Sequence, residues 1–127
     1  MAADTIAALC AGSSFSGRPR LIYEMRVYEA MPGKVTTLQA LFRDHMDALF
    51  TKHGFRAVGY WTEAIGDNTL FNYMLAWDDS SQMEERWNAL RADPDFRGSI
   101  EASNVNGTVV AKMGTRVWRP TAFSPLP

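Results

Sequence analysis

The sequence predicts an α+β domain in which one antiparallel sheet carries two long helices. Three observations support this prediction. Four segments are rich in aromatic and β-branched residues, two segments between them repeat apolar residues with helical spacing, and glycine, proline or asparagine marks the junctions. With 127 residues, 46% of them hydrophobic, the chain is long enough for one buried core and too short for a second catalytic domain.

The composition excludes several classes of partner and site. The 13 basic residues face 14 acidic ones, and they are scattered along the chain, so we expect no nucleic-acid binding. The single cysteine, Cys10, rules out an internal disulfide and a multi-cysteine metal site, and a reducing cytoplasm is the simplest location. No stretch approaches the roughly 20 apolar residues of a membrane span.

Residues 1–20 read as an extension before a domain that spans residues 21–127. The apolar run 6–11 superficially resembles the core of a secretory signal. However, Asp4 stands where such a signal has a basic residue, and the run falls short of the roughly 7 to 15 apolar residues of a signal core. We therefore expect no cleaved leader.

The first half of the domain is predicted as a strand and a long helix. Residues 21–28 favour a strand throughout, and the turn Met31-Pro32-Gly33 follows. Over residues 34–53, apolar side chains recur at i, i+3, i+4 and i+7 while charged ones fill the opposite side. This pattern predicts one amphipathic helix, which Gly54 ends.

The middle of the chain is predicted as a hairpin followed by a second helix. Residues 55–63 and 69–77 are both rich in strand formers, and a glycine-containing turn joins them. Ser80 or Ser81 is the expected N-cap of a helix that continues to Leu90.

The last part of the domain is predicted as a short helix and a strand. Pro94 suits the first turn of a third helix through Ala102. Residues 108–118 form the last strand, with Gly114 as the expected bulge or point of close approach. Alternation along this strand places Val109, Ala111 and Met113 on one face and Val110 on the other.

The resulting order is βαββαβ, which is the ferredoxin-like arrangement: a four-stranded antiparallel sheet with both long helices on one face. The third predicted strand, 69–77, is apolar on both faces. Four strands present about 500 Å² per face, more apolar surface than a monomer usually leaves in water. We therefore expect a homodimer in which two sheets pack face to face into an α+β barrel.

Taken together and in order, eight short segments resemble the NIPSNAP family of dimeric α+β barrel proteins. The match runs from about residue 22 to residue 125, and the segments are IYEMRVY (22–28), MPGK (31–34), FRDH (42–45), KHGF (52–55), GYWTE (59–63), LAW (75–77), RADPDF (91–96) and RPT (119–121). The resemblance implies a ferredoxin-like fold, a homodimer, and kinship with barrels that include cofactor-independent monooxygenases, heme-degrading enzymes and decarboxylases. It implies no particular reaction.

The first strand supplies the leading candidates for a site. Glu24, Arg26 and Tyr28 share one face, because side chains on a strand alternate, and neighbours on that face lie roughly 7 Å apart. If the face lines a pocket, Arg26 could hold a carboxylate or an enolate, and Tyr28 could donate a hydrogen bond to it. The alternative is a buried Glu24 to Arg26 network that specifies dimer register.

The two histidines are predicted to have separate roles, because His45 and His53 are about 12 Å apart along the helix axis and cannot share one metal ion. His45 adjoins the apolar stripe, so it could point into a cavity as a general base, or be a partly buried structural histidine. It is also the sole candidate for a heme ligand on a suitable helix. His53 is expected to be structural, since it lies in the last helical turn.

The hairpin concentrates aromatic residues. Tyr60, Trp61, Tyr73 and Trp77 could form the wall of a pocket for a flat or apolar ligand, or simply belong to the core. Glu63, near a strand end, is the carboxylate best placed there for acid or base catalysis, although a solvated strand terminus explains it equally.

Motifs for nucleophilic elbows, phosphate loops and zinc helices are absent from the sequence, so we expect neither a metal nor a cofactor. The leading hypothesis is a small-molecule binding protein or accessory enzyme of bacterial metabolism that acts on an apolar or aromatic carbonyl compound. The chemistry would be isomerisation, cyclisation or cofactor-independent oxygenation, with Arg26, Tyr28 and His45 as polar anchors. The alternative is a non-catalytic homodimer that acts through protein contacts.

Overall fold

The computed structural model describes residues 21–126, where the chain forms one four-stranded antiparallel sheet with its helices packed on one face. The ferredoxin-like prediction is confirmed. The extension 1–20, with Cys10 and the apolar run 6–11, lies outside the described residues, as does Pro127.

The four strands are β1 (Ile22–Ala30), β2 (Arg56–Thr62), β3 (Leu70–Trp77) and β4 (Val110–Trp118). They lie in the order β2, β3, β1, β4, and every neighbouring pair is antiparallel. β1 therefore occupies the middle of the sheet and β4 one edge. This position makes β1 the strand whose side chains can reach both the helices and the neighbouring strands.

The first long helix, α1, spans residues 35–52. The sequence pattern predicts a regular α-helix here, but the structure has an irregular one. Its two ends, Val35–Leu41 and Asp47–Lys52, are α-helical, but the middle, Phe42–Met46, is π-helical. The C-terminus is as expected: Gly54 takes φ +75°, and the backbone N–H of Phe55 donates to the carbonyl of Phe50 at 2.8 Å. These two features form a Schellman cap.

The other two helices are α2 (Ser80–Ala92) and α3 (Pro94–Ser103), and an aspartate caps each. The side chain of Asp79 accepts a hydrogen bond from the backbone N–H of Gln82 at 2.7 Å. The prediction of Ser80 or Ser81 as the cap is therefore wrong, because Asp79 is the residue with the extended backbone that a cap requires. Asp93 caps α3 in the same way.

The bulge between β1 and β4 lies at Glu29 and Ala30, not at Gly114, which pairs directly with Val27. Beyond the bulge, Met113 pairs with Tyr28 and so faces the helices, as Val110 does. The predicted placement of Met113 and Val110 on opposite faces is wrong for this reason, since one extra residue between them reverses the alternation.

The core lies between the helices and the sheet. Most of its aromatic rings pack edge-on or tilted against one another, whereas Phe50 stacks on Phe55 at 4.8 Å and Tyr60 on Phe71 at 6.2 Å. On the opposite face of the sheet, Tyr23, Val58 and Ala76 form a second, smaller cluster. On β4, Met113, Val117 and Trp118 are 59%, 44% and 47% exposed. A homodimer that covers these surfaces stays a prediction.

Candidate functional site

The helix-facing side of β1 brings Glu24, Arg26 and Tyr28 together, as their alternate spacing predicts. The guanidinium of Arg26 donates to Glu24 Oε2 at 3.1 Å and to the Tyr28 hydroxyl at 3.0 Å. Glu24 is 3% exposed, so this ion pair lies inside the protein. Removing either partner would leave a charge without its counter-charge in a poorly solvated place.

Glu24 is held by two tryptophans as well as by Arg26. Its Oε1 atom accepts hydrogen bonds from the indole N–H of Trp77 at 3.0 Å and of Trp87 at 2.8 Å. Trp77 lies on β3 and Trp87 on α2, so one carboxylate joins the strand, its neighbour and the helix above them. Every buried side-chain N or O atom that the structure describes has a partner.

The hydrogen bonds continue from Arg26 into the sheet. Arg26 also donates to Thr115 Oγ1 at 3.0 Å, and the hydroxyls of Tyr28 and Tyr73 are 2.9 Å apart. Burial raises the pKa of Tyr73 well above its usual value, so its hydroxyl stays neutral. Among the described residues, the remaining Nη2 hydrogen of Arg26 has Met113 Sδ as its acceptor at 4.0 Å, and a thioether sulfur is a weak acceptor.

A cavity of about 460 Å³ opens beside this network, between β1 and β4 on one side and all three helices on the other. We call it the sheet-helix cavity. Most of its wall is apolar, and its charged residues are Arg26 and Arg91. The apolar part of the wall consists of Leu38, Leu41, Phe42, Met46, Trp87, Phe96, Ile100, Val109, Val110 and Met113. The π-helical segment of α1 contributes two of these side chains, Phe42 and Met46.

His45 does not reach this cavity. Its side chain is exposed on the outer side of α1, where it borders shallow depressions with Ser99 and Ala102 of α3. The reason is helical phase: Phe42 and Met46 take the inward positions, and His45 lies on the side that turns to solvent. The orientation expected of a general base or a heme ligand is therefore not observed. In contrast, the imidazole Nε2–H of His53 donates to Asp93 Oδ2 at 2.8 Å, which fits a structural role.

The hairpin aromatics separate into two groups. Tyr73 and Trp77 are fully buried and belong to the hydrogen-bond network above. Tyr60 and Trp61 lie at the far edge of the sheet, beside a second, more open depression. The Tyr60 hydroxyl donates to Asp47 Oδ1 at 2.9 Å, and burial together with this bond raises its pKa. The structure thus does not bring all four residues to one pocket.

Glu63 is also remote from the sheet-helix cavity. It is exposed at the end of β2, where its Oε2 accepts a hydrogen bond from the side-chain amide of Asn72 at 3.0 Å. This is the solvated strand terminus that the sequence offered as the alternative.

Two cavity residues, Trp87 and Arg91, were not singled out as site residues by the sequence. Trp87 is buried in the core, and its ring also lines the cavity. The guanidinium carbon of Arg91 lies 5.3 Å from the centroid of that ring, and that of Arg26 lies 4.5 Å from it. Trp87 and Arg91 are four residues apart on α2, and this spacing is the sequence signal that indicates a contact between them.

Within residues 21–126, no group of three or more His, Cys, Asp or Glu side chains could hold a metal ion. No helix in the same range is long and apolar enough to cross a membrane.

Comparison with known proteins identifies the family of this chain. The family model named NIPSNAP matches residues 23–125, which include all three helices and, apart from Ile22 at the start of β1, all four strands. The chain belongs to the NIPSNAP family. Among curated proteins, none matches its sequence.

Solved structures of other NIPSNAP proteins share the fold. A NIPSNAP family protein of unknown function from Agrobacterium tumefaciens is 22% identical, with a TM-score of 0.76 over 87% of this chain and 96% of that one. An uncharacterised NIPSNAP domain protein from Burkholderia xenovorans is 26% identical, with a TM-score of 0.71 over 82% and 98%. A candidate antibiotic biosynthesis monooxygenase from Chloroflexus aurantiacus is 14% identical, with a TM-score of 0.53 over 84% and 99%. The last likeness shows a shared fold alone.

Proposed function

We propose that this NIPSNAP protein binds a small apolar or aromatic carbonyl compound in the sheet-helix cavity, with the carbonyl oxygen on Arg26. The observation that carries the proposal is the combination of an apolar wall with one guanidinium N–H whose acceptor, among residues 21–126, is the thioether of Met113. A cavity of about 460 Å³ has the size of ordinary small-molecule sites. A carbonyl oxygen would be a far better acceptor for that N–H than the sulfur of Met113.

The chemistry that this site supports is stabilisation of negative charge on an oxygen atom. Arg26 keeps its charge at any physiological pH and is fixed by Glu24, Tyr28 and Thr115, so it is preorganised toward an enolate or a polarised carbonyl. The described lining residues include no carboxylate and no imidazole. The reactions that suit this site are isomerisation, cyclisation or cofactor-independent oxygenation of a substrate that is already acidic, and the protein's part is to bind and polarise it.

We further infer that the functional unit is a homodimer. Its support is the set of apolar side chains that the edge strand β4 exposes. Trp118 lies on the face away from the helices, Met113 and Val117 lie on the helix-facing side, and each is more than 40% exposed. Light scattering at micromolar concentration should give the mass of two chains. A monomer would contradict the inference. A dimer that binds no carbonyl compound would instead favour a non-catalytic interaction module.

The binding proposal is tested by filling the cavity. Ile100 is half-buried and lines it, so Ile100→Trp should occupy the space that a ligand needs. We expect the variant to weaken binding of 2-acetonaphthone, a neutral aromatic ketone, by at least about tenfold in isothermal titration calorimetry. The matched control is Ile65→Trp, because Ile65 is 97% exposed in the hairpin turn. Equal affinity in both variants, or no binding to the unsubstituted protein, would refute the proposal.

A further inference from the structure

We infer that Arg91 is an anion-binding residue at the sheet-helix cavity, so that the preferred ligand is an apolar or aromatic carboxylate rather than a neutral carbonyl compound. This inference rests on the proposed function, and it adds the charge of the ligand and the residue that selects it. The observation that supports it is that, of the two arginines that border the cavity, Arg26 has a carboxylate partner and Arg91 has none among the described residues.

Arg26 is already neutralised. Its guanidinium forms an ion pair with the buried carboxylate of Glu24, and four of its five N–H groups have oxygen acceptors on Glu24, Tyr28 and Thr115. It can offer one N–H to a ligand, but it brings little uncompensated charge. By itself, Arg26 fits a neutral carbonyl oxygen as well as it fits a carboxylate.

Arg91 is not neutralised. Within the described part of the chain, no carboxylate lies within ion-pair distance of it, and its one side-chain hydrogen bond is a long one, 3.4 Å to Asn88 Oδ1. The remaining N–H groups of its guanidinium are free to contact a ligand. With Glu24 and Arg26 cancelling each other, the charged groups around the cavity sum to one positive charge, that of Arg91.

The position of Arg91 directs that charge to the cavity. Its guanidinium carbon lies 5.3 Å from the ring centroid of Trp87, and the guanidinium carbon of Arg26 lies 4.5 Å from the same point. The two cations are thus separated by no more than the sum of these distances, with an indole in the cavity wall beside both. A carboxylate at this end of the cavity would reduce the repulsion between them, while its apolar body contacts Leu38, Phe96 and Ile100.

The experiment uses two probes of nearly equal shape. In 2-naphthoate a carboxylate oxygen stands where 2-acetonaphthone has a methyl group, so the pair differs mainly in charge. Isothermal titration calorimetry with the full chain should show 2-naphthoate binding about tenfold more tightly than 2-acetonaphthone, because a charge-assisted contact with an exposed arginine is worth about that much. Raising the salt from 0.05 to 0.5 M should reduce this preference, because exposed charges are screened.

The decisive variant is Arg91→Gln, with Arg97→Gln as the matched control. Arg97 is exposed on α3, does not line the cavity, and the substitution removes the same charge from the protein. We expect Arg91→Gln to abolish the preference for 2-naphthoate over 2-acetonaphthone, and Arg97→Gln to leave that preference as it is in the unsubstituted protein.

The outcomes separate the two proposals. If both probes bind the unsubstituted protein equally, the assignment of Arg91 fails while the binding proposal stands. If the preference for 2-naphthoate persists in Arg91→Gln, the charge that selects the anion lies elsewhere, and the inference is again overturned. If neither probe binds at all, both proposals fall.

Discussion

Glu24→Gln tests the hydrogen-bond network at the centre of the protein. The amide oxygen of the new side chain can still accept from the indoles of Trp77 and Trp87, which both bond to one oxygen of Glu24. Its NH2 group then meets the Arg26 guanidinium, where a carboxylate oxygen now accepts at 3.1 Å. The variant therefore places two donors face to face and leaves the arginine charge uncompensated.

The expected loss of unfolding free energy follows from the ion pair between Glu24 and Arg26 that the substitution breaks. Breaking a fully buried ion pair by removing one partner costs about 3–5 kcal/mol. Arg26 keeps its bonds to Tyr28 and Thr115, and its side chain is 13% exposed, so we expect a somewhat smaller loss of stability, about 2–4 kcal/mol. For a domain of this size, that loss lowers the midpoint of thermal unfolding by on the order of 10 °C. Urea unfolding followed by tryptophan fluorescence measures the free energy directly.

The matched control is Glu63→Gln. Glu63 also accepts a hydrogen bond at about the same length, 3.0 Å from Asn72, but it is exposed, so its substitution should change stability by less than about 0.5 kcal/mol. If Glu24→Gln were as harmless as Glu63→Gln, the cost of burying the ion pair would cancel its attraction, and the network would not stabilise the fold.

Two further predictions concern neighbouring groups. Tyr28→Phe removes the hydroxyl that partners Tyr73, so it should destabilise the protein by about 1–3 kcal/mol in the same urea assay, and an unchanged midpoint would mean that Tyr73 finds another partner. The hydrogen bonds from Lys52 and His53 hold the pKa of Asp93 well below its usual range, so Asp93 stabilises the fold above its ordinary pKa of about 4 and loses this contribution as the pH falls. Thermal unfolding midpoints between pH 6 and pH 2 should therefore fall less steeply in Asp93→Asn, and parallel curves would contradict the assignment.

Local rules in the sequence predict the elements of this fold well. Period-two alternation puts Glu24, Arg26 and Tyr28 on one face of β1, and the structure has them there. The N-cap of α2 is Asp79 rather than a serine, because several residues in a row can cap and the backbone angle decides among them. The sequence predicts the bulge of β4 at Gly114, but the structure has it opposite Ala30. The reason is similar, since a glycine permits a bulge without requiring one.

The cavity was harder to predict because it depends on how helices pack. Arg91 and Arg26 are 65 positions apart in the sequence, and only the packing of α2 against β1 brings both to the ring of Trp87. His45 adjoins the apolar stripe on a helical wheel, yet it turns to solvent. A regular-helix projection also omits the π-helical turn of Phe42–Met46, for which these residues carry no marker that we recognise.

Met113 belongs to two surfaces at once. Its side chain lines the sheet-helix cavity and is 59% exposed on the edge strand β4. A second chain that packs on β4 would thus rest on part of the wall that a ligand contacts. Self-association and ligand occupancy then become linked equilibria, and each must change the other by the same factor. The affinity measured for a ligand would therefore change on dilution of the protein, even though no residue of the cavity has been altered.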